Sequence, residues 1–203
     1  MIPALETAPV ALALVALAAY LLGTVPFGVV MTRLFGLGDL RQIGSGNIGA
    51  TNVLRTGNKT AAALTLILDA GKGGIAVLLA RALFADDAAQ IAALAAFAGH
   101  CFPVFAGFRG GKGVATFLGT ILALHWPAGL AACAIWLLVA ALTRYSSLSA
   151  LVAAVLSPVA MALMGRPEAA LLCLCLAVLI VIRHRDNIAR LRDGTETKIG
   201  QKS

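Results

Sequence analysis

The chain has 203 residues, of which 60% are hydrophobic and only 12% are charged, and its mean hydropathy is +0.93. These values lie far outside the range of soluble globular proteins and indicate an integral membrane protein. The formal net charge of +7 does not indicate nucleic-acid binding, because the basic residues are scattered at the ends of apolar blocks.

The apolar blocks predict an all-α, polytopic membrane protein with seven transmembrane helices, because a helix of roughly 20 residues crosses the hydrocarbon core. We expect a single membrane domain over residues 1–203. The predicted spans cover residues 9–32, 60–83, 88–107, 112–125, 127–143, 148–164 and 168–183.

The uncharged stretch from Val114 to Thr143 is compatible with one helix or with a hairpin. As one helix it would run about 45 Å, well over the roughly 30 Å hydrocarbon core. His125-Trp126-Pro127 interrupts the stretch with an interfacial tryptophan and a helix-starting proline. We therefore predict a hairpin.

The basic residues predict the orientation in the membrane. Among the lysines and arginines at the span ends, only Arg81 and Arg166 fall on one side. This bias predicts an N-terminus outside and a C-terminus in the cytoplasm. The same assignment puts four polar segments on the cytoplasmic side, where we expect them to meet. They are residues 44–56, 108–113, 144–149 and 184–198.

The first polar segment, GSGNIGATNVLR, formally matches the dinucleotide fingerprint G-x-G-x-x-G, but a membrane span rather than a strand precedes it. Its glycines would let the backbone approach an anion while short polar side chains donate hydrogen bonds. Arg55 adds a planar fork suited to phosphate. The alternative interpretation is a flexible loop. The side chains proposed to bind are those of Ser45, Asn47, Thr51 and Asn52.

The second segment, FRGGKGVAT, fails the P-loop pattern, because Gly113 follows the lysine where Ser or Thr should stand. Gly110, Gly111 and Gly113 nevertheless surround Lys112 at the start of a helix. Backbone N–H groups and the positive end of the helix dipole favour an anion there. The alternative is a basic loop that touches lipid headgroups.

Two further polar pairs have helical spacing. Asp69 and Lys72 lie three apart within a predicted span, and we favour a structural ion pair over a direct role in the site. His184 and Asn187 lie three apart just beyond the last span. A histidine there donates to a phosphate or accepts a proton, or else it is only a polar cap of the span.

The sequence contains no cysteine–histidine group with metal-ligand spacing, no nucleophile elbow and no paired catalytic carboxylates, so we expect no metal or cofactor. Two classes of function remain. One is an enzyme that joins a phosphorylated, water-soluble substrate to a lipid, and the other is a transporter for an organic phosphate. Transporters carry polar groups near the midplane and an internal repeat. Because most donors crowd one surface here, the enzyme is favoured.

Four motifs run in order between about Gly23 and Lys198: GSGNIGATNVLRT, LDAGKGGIAV, GHCFPVFAGFRGGKGVAT and HRDNIARLRDGTETK. In these motifs the chain resembles the bacterial acyl-phosphate:glycerol-3-phosphate acyltransferase family (PlsY type). The resemblance implies a seven-helix enzyme of the cytoplasmic (inner) membrane. It would move a fatty acyl group from acyl phosphate to the 1-hydroxyl of sn-glycerol 3-phosphate. The implied products are 1-acylglycerol 3-phosphate (lysophosphatidic acid) and phosphate, in the first acylation of phospholipid synthesis.

The resemblance also implies partners. The two substrates and membrane lipid are expected, nucleic acid is not, and neither acyl-CoA nor acyl carrier protein would be the direct donor. Functional coupling to an enzyme that forms acyl phosphate is expected.

Catalytic roles carry over to Ser45, Arg55, Lys112, His184 and Asn187 by motif. The residues expected to bind substrate are Asn47, Thr51, Asn52, Gly110, Gly111, Gly113 and Ser149.

Two assignments by motif are of a different kind. Glu196 matches a glutamate with a structural role, like Asp69 and Lys72 above. Ser149 matches a serine that helps to hold the substrate, although Ser146 or Ser147 is an alternative for that position.

An acyl phosphate is a mixed anhydride with a good leaving group, so catalysis needs mainly placement and charge stabilisation. Arg55 and the loop at 110–113 would hold phosphate oxygens. The proton of the attacking hydroxyl goes either to His184 or to a substrate phosphate, and we favour the phosphate. An acyl-enzyme on Ser45 is less favoured, because no histidine lies near it in the sequence.

The acyl chain is expected to lie between spans, open to the bilayer. Small residues such as Gly99 and Gly119 are expected to leave room for it.

Overall fold

A computed structural model describes residues 3–201, and within that range the chain is helical with no β-strand. Short 3-10 turns join some of the helices, and the predicted all-α class is confirmed. The ten helices are α1 (Pro9–Gly23), α2 (Phe27–Leu34), α3 (Ala50–Leu54), α4 (Lys59–Leu83), α5 (Asp86–Cys101), α6 (Val114–Leu124), α7 (Trp126–Thr143), α8 (Ser146–Leu163), α9 (Ala170–Arg183) and α10 (Arg185–Arg192).

Five helical stretches of the described chain are long and apolar enough to cross a membrane: Pro9–Leu34, Lys59–Leu83, Asp86–Ala106, Trp126–Thr143 and Ser146–Leu163. A sixth is obtained if Pro167–Arg183 and α10, which are bent by 62° to each other, form one span. α6 has only 11 residues, so it is about 17 Å long, roughly half of the hydrocarbon core. Length and composition therefore support five or six spans, against the seven predicted.

The first predicted span is broken in the structure. α1 ends at Gly23 and α2 begins at Phe27, whereas the sequence predicted one helix over 9–32. Pro26 has no backbone N–H and disfavours the helical conformation of the residue before it. The carbonyl of Val25 accepts a hydrogen bond from Lys72 Nζ at 2.7 Å, so the break is stabilised by a charged side chain of α4.

α6 and α7 form the predicted hairpin. α6 ends at Leu124, and α7 begins at Trp126 with a proline in its first turn. A Cβ placed on Gly129 would lie 2.4 Å from Leu122 Cα, so the backbones of the two helices are in close contact next to the turn. The division of the long uncharged stretch into two helices is confirmed.

Glycines mark the closest helix contacts. A Cβ on Gly99 of α5 would lie 2.2 Å from the carbonyl oxygen of Tyr20 in α1. A Cβ on Gly119 of α6 would lie 2.1 Å from the carbonyl oxygen of Ala70 in α4. The expectation that these two glycines leave room for an acyl chain is therefore wrong, because their missing side chains are used for helix packing.

The interior and the outer surface of the bundle are both apolar. Buried alanines are interleaved with large side chains such as Phe97, Phe117 and Ile121, which are completely buried. Many leucines, isoleucines and valines on the outer faces are exposed, for example Ile67 and Leu138, at about 60%. A bilayer would cover such an exposed apolar surface.

The end of the bundle where α4 ends and α5 begins carries a charged cluster. Arg166 Nη2 lies 2.7 Å from an oxygen of Asp86, and Arg81 Nη2 lies 3.1 Å from the other oxygen. The two arginines that the charge analysis assigned to one side thus meet there. The four polar segments lie at the other ends of the same helices.

Candidate active site

Asn52 organises the first polar segment. Its side chain is buried, and Nδ2 donates to the carbonyls of Leu40 and Ile43 at 2.9 Å each. Its Oδ1 accepts from the backbone N–H of Ser45 at 3.2 Å and from Arg55 Nη1 at 3.1 Å. These bonds occupy both ends of the amide, so Asn52 holds the loop together, and a substrate contact for it stays a prediction.

Ser45 presents its hydroxyl at the surface of this loop. The residue is exposed, and its Oγ lies 3.5 Å from Asn52 Oδ1. Gly44 and Gly46 flank it with φ values of 53° and 67°, a region that glycine adopts readily. Asn47 is half-buried in the same turn.

Arg55 connects the first segment to the last one. Its Nη2 donates to the hydroxyl of Thr197, 142 positions further along the chain. Burial lowers the pKa of the Arg55 guanidinium, while the nearby carboxylate of Glu196 raises it. An arginine in such a place remains charged at neutral pH.

The glycine loop, residues 110–113, packs on the end of α5. The N–H groups of Gly110 and Gly111 donate to the carbonyls of Cys101 and His100 at 3.2 and 3.1 Å. These two amides are therefore not available to a ligand, contrary to the idea that all the loop amides hold phosphate. In the described part of the chain, the N–H groups of Lys112 and Gly113 have no protein acceptor.

Lys112 belongs to a polar network with the last segment. Its Nζ donates to Asn187 Oδ1, and Asn187 Nδ2 donates to Glu196 Oε1 at 2.6 Å. The same carboxylate accepts from Ser147 Oγ and from Arg190 Nε, both at 2.7 Å.

Burial and hydrogen bonds together set the charge state of this network. Burial lowers the pKa of Lys112 to about 8, and the carboxylate of Glu196 limits the shift. Burial alone would raise the pKa of Glu196, but the hydrogen bonds from Ser147, Asn187 and Arg190 outweigh burial and hold that pKa below its usual value. The carboxylate therefore stays ionised at neutral pH.

The three candidate serines occupy different places. Ser146 Oγ lies 3.1 Å from Thr51 Oγ1, which links the third polar segment to the first. Ser147 bonds to Glu196, as described. Ser149 is completely buried and donates to the carbonyl of Tyr145 at 2.8 Å. Ser146 is the half-exposed member of the three, and the choice between them stays a prediction.

His184 lies at the junction of α9 and α10. It is buried, and its Nδ1 lies 2.8 Å from the carbonyl oxygen of Ile180, so Nδ1 carries the proton because a carbonyl only accepts. Burial lowers the pKa of His184 to about 4. The imidazole is therefore neutral at pH 7 and a weak base.

Asp69 and Lys72 form the expected ion pair below the loop. Lys72 Nζ lies 2.8 Å from Asp69 Oδ1, and both side chains are almost fully buried. His100 Nδ1 lies 3.5 Å from the same carboxylate oxygen, and its ring is buried under Gly111. The ion pair is observed, and its structural role stays a prediction.

Hydrogen bonds join all four polar segments at one end of the bundle, as expected from the sequence. The network contains Ser45, Thr51, Arg55, Lys112 and Asn187 among the expected residues. The sequence did not assign a role to Arg183 or Thr197, whose partners are remote in the chain, or to Arg190, which bonds to Glu196 six positions on. No local signal distinguished Arg183 from the exposed Arg185 two positions on.

This arrangement defines a multi-pass α-helical membrane protein with a cationic, hydrogen-bonding site at one end of its bundle. The family model described as glycerol-3-phosphate acyltransferase matches residues 13–194, and the chain belongs to this family.

Known relatives are similar to this protein over nearly the whole chain, in sequence and in structure. A glycerol-3-phosphate acyltransferase of Jannaschia sp. (strain CCS1) is 68% identical over 203 residues and covers 100% of both chains. The crystal structure of PlsY (YgiH), an integral membrane glycerol 3-phosphate acyltransferase, in its glycerol 3-phosphate form is similar with a TM-score of 0.88 and 39% identity. That match covers 93% of this chain and 96% of the other. The lysophosphatidic acid form of PlsY is similar with a TM-score of 0.85 and 36% identity, over 93% of this chain and 95% of the other.

Proposed function

We propose that this protein transfers a fatty acyl group from acyl phosphate to the 1-hydroxyl of sn-glycerol 3-phosphate, giving 1-acylglycerol 3-phosphate and inorganic phosphate. The proposal depends on one observation. Arg55, Lys112 and the backbone N–H groups of Lys112 and Gly113 lie in one network. Among the residues that the structure describes, those two N–H groups have no acceptor, and the only carboxylate, Glu196, is already bonded to Asn187, Ser147 and Arg190. Such a site favours phosphate groups.

The reaction needs positive charge more than it needs a base. The hydroxyl oxygen of glycerol 3-phosphate attacks the acyl carbon, and the bond between this carbon and the bridging oxygen breaks. Inorganic phosphate leaves with the electron pair. Arg55 and Lys112 stabilise the charge that develops on the leaving phosphate and hold the second anion in place.

The proton of the hydroxyl goes to a substrate phosphate in this proposal. His184 is the alternative acceptor, but its pKa of about 4 makes it a poor match for a base that works near neutral pH. Its role is then to orient a phosphate or Asn187 through Nε2. Ser45 acts as a hydrogen-bond donor rather than as a nucleophile, since Asn52 is its side-chain partner and cannot take its proton.

The acyl chain lies along the lipid-facing side of the bundle in this proposal. An apolar groove between α8 and α9 is lined by Val155, Leu174, Ala177, Val178, Val181 and Ile182. Val181 and Ile182 are followed directly by Arg183 and His184, so the groove ends next to the polar site. This position would let a lipid chain stay in the bilayer while its phosphate enters the network.

The proposal includes the membrane arrangement. Seven crossings result if the short α6 and α9 each cross once, in addition to the five long helical stretches. The N-terminus is then outside, and the site faces the cytoplasm at the inner membrane, as the distribution of basic residues favours. The whole chain acts as one membrane domain. An enzyme that forms acyl phosphate would supply the donor.

Transfer of label from [1-14C]acyl phosphate to glycerol 3-phosphate by the purified protein tests the proposal. We expect labelled 1-acylglycerol 3-phosphate with acyl phosphate and none with acyl-CoA. Uptake of glycerol 3-phosphate into liposomes without acylation would instead indicate a transporter. Mass spectrometry after incubation with acyl phosphate alone tests direct transfer, since an acylated Ser45 would contradict it.

A further inference from the structure

Arg183, the last residue of α9, has no part in the reaction as proposed above. We propose that Arg183 is a positioning residue, whose guanidinium fixes two successive peptide groups of the glycine loop so that the backbone N–H of Lys112 faces the phosphate of a bound substrate. The inference rests on the proposed function, because it requires a phosphate at the loop.

The guanidinium of Arg183 bonds to both glycine carbonyls. Its Nη2 donates to the carbonyl of Gly110 at 2.8 Å, and its Nε donates to the carbonyl of Gly111 at 3.1 Å. Two donors at a fixed spacing therefore hold two adjacent carbonyls. A lysine ammonium carries its three N–H donors on one nitrogen and cannot reproduce this planar, two-nitrogen geometry.

The direction of the remaining N–H groups follows from the planarity of the peptide bond. In a trans peptide the C=O and the N–H point in opposite directions, and the described residues contain no cis peptide bond. The peptide group between Gly110 and Gly111 is satisfied on both sides, by Arg183 and by the carbonyl of His100. In the next peptide group, between Gly111 and Lys112, only the carbonyl has a hydrogen-bond partner among the described residues. The N–H of Lys112 therefore points away from Arg183 and remains available to a ligand.

The loop has little freedom to turn away from this arrangement. A Cβ on Gly111 would lie 2.2 Å from His100 Nε2, so the loop is confined between this imidazole and the guanidinium. Arg183 is itself held, since its guanidinium lies over the ring of Phe102 at 5.3 Å. Loss of the fork would release the two peptide groups without removing a group that touches substrate.

The test compares Arg183→Lys with Arg185→Lys in the full-length protein. Arg185 is the matched control, because it lies two positions away with a side chain that is 82% exposed. For each variant we would measure the KM of both substrates, kcat and the midpoint of thermal unfolding. We expect Arg183→Lys to raise the KM for glycerol 3-phosphate roughly 10- to 30-fold, the loss typical of one charge-assisted hydrogen bond. The kcat of Arg183→Lys, and both kcat and KM of Arg185→Lys, should change less than about 3-fold.

Each outcome bears on the proposal. A rise in KM confined to acyl phosphate would also support it and would assign the loop to the donor's phosphate. Unchanged KM values for both substrates, or a loss in kcat alone, would overturn it. If Arg183→Lys does not fold, Phe102→Leu replaces it. That variant keeps the arginine and removes the ring beneath it, and we expect a smaller rise in the same KM, with no rise contradicting the proposal.

A binding experiment separates this inference from the proposed reaction. Inorganic phosphate, titrated calorimetrically without any acyl donor, should bind the wild type and the control alike and bind Arg183→Lys at least roughly 10-fold more weakly. Equal binding by all three, or none by the wild type, would overturn the inference. Absence of acyl transfer by a wild type that binds phosphate normally would count against the proposed function alone.

Discussion

Lys112 is half-buried and has no direct carboxylate partner among residues 3–201, and this environment makes its charge depend on pH. Its Nζ donates to the neutral amide of Asn187. The Glu196 carboxylate lies on the other side of this amide and has no direct contact with Nζ. Its pKa of about 8 means that the ammonium form is dominant at neutral pH and is lost just above it. Since the proposed reaction needs the charge, the enzyme should lose affinity for phosphate on the alkaline side.

We expect kcat/KM for glycerol 3-phosphate to fall as the pH rises through about 8, because this parameter reports the pKa of groups in the free enzyme. In Lys112→Arg, which stays charged over the whole range, the alkaline limb should be absent from the remaining activity. A pH–rate profile of both proteins between pH 6 and about 10 is the measurement. The same limb in both would contradict the assignment to Lys112.

Glu196 should stabilise the fold in a pH-dependent way. Its pKa in the folded protein is lowered, so its contribution is present above the unfolded value of about 4.3 and is lost as the pH falls through the folded value. Glu196→Gln loses charge-assisted bonds and should lower the free energy of unfolding by about 1.5–3 kcal/mol at pH 7.

Thermal unfolding of Glu196→Gln at pH 7 and at pH 4 measures this effect. The gap between variant and wild type should narrow at the lower pH. Asp193→Asn, an exposed neighbour, is the control and should match the wild type at both pH values. A gap that does not depend on pH would contradict the role of the carboxylate charge.

At the scale of helices, close backbone contact explains why small residues stand where they do. Gly119 brings α6 onto α4, whereas Gly71 in α4 has no neighbour within 4 Å of a Cβ placed on it. Both glycines lie inside apolar helical stretches of the sequence. Only the structure shows that Gly119 is needed for close helix packing and that Gly71 is not.

Gly119→Ala should therefore destabilise the protein by about 1–3 kcal/mol, because the methyl group would meet the carbonyl of Ala70. Gly71→Ala should be neutral or slightly stabilising, because alanine favours a helix by about 1 kcal/mol over glycine. Unfolding midpoints of the two variants in one detergent make the comparison. Equal midpoints would refute the contact.

The sequence predicted which stretches are helical far better than where they are interrupted. Apolar runs define the helices, and His125-Trp126-Pro127 correctly divided one of them. The break at Val25 was missed, although Pro26 signals it, because the apolar run continues on both sides. α6 begins two residues after Lys112, later than predicted. The N–H groups of Gly110 and Gly111 bond to carbonyls at the end of α5, so these residues do not form the first turn of α6.

At the scale of the molecule, the site depends on contacts between segments that are far apart in the chain. Charge sorting was enough to predict that the four polar segments meet, since it fixes which helix ends share a side. The individual pairs were not predictable. Arg55 and Thr197 are joined across 142 positions, and no local pattern relates them.

Accessibility labelling tests the arrangement across the membrane. In a background without its four cysteines, Ser45→Cys and Arg109→Cys should react with a membrane-impermeant reagent only from the cytoplasmic side. Glu6→Cys should react only from outside, because residue 6 lies beside Asp87 at the opposite end. Reaction of positions 45 and 109 from different sides would contradict a common site.

The contacts of Glu196 and Thr197 have a consequence for biosynthesis. Both residues are synthesised after α10, the last helix in the described part of the chain, and they supply bonds to Arg55, Ser147 and Asn187. A chain released just after α10 would thus contain the described helices but lack the bonds that complete the polar site. Catalytic competence would appear in a single late step, and release of unfinished chains would yield inserted but inert protein.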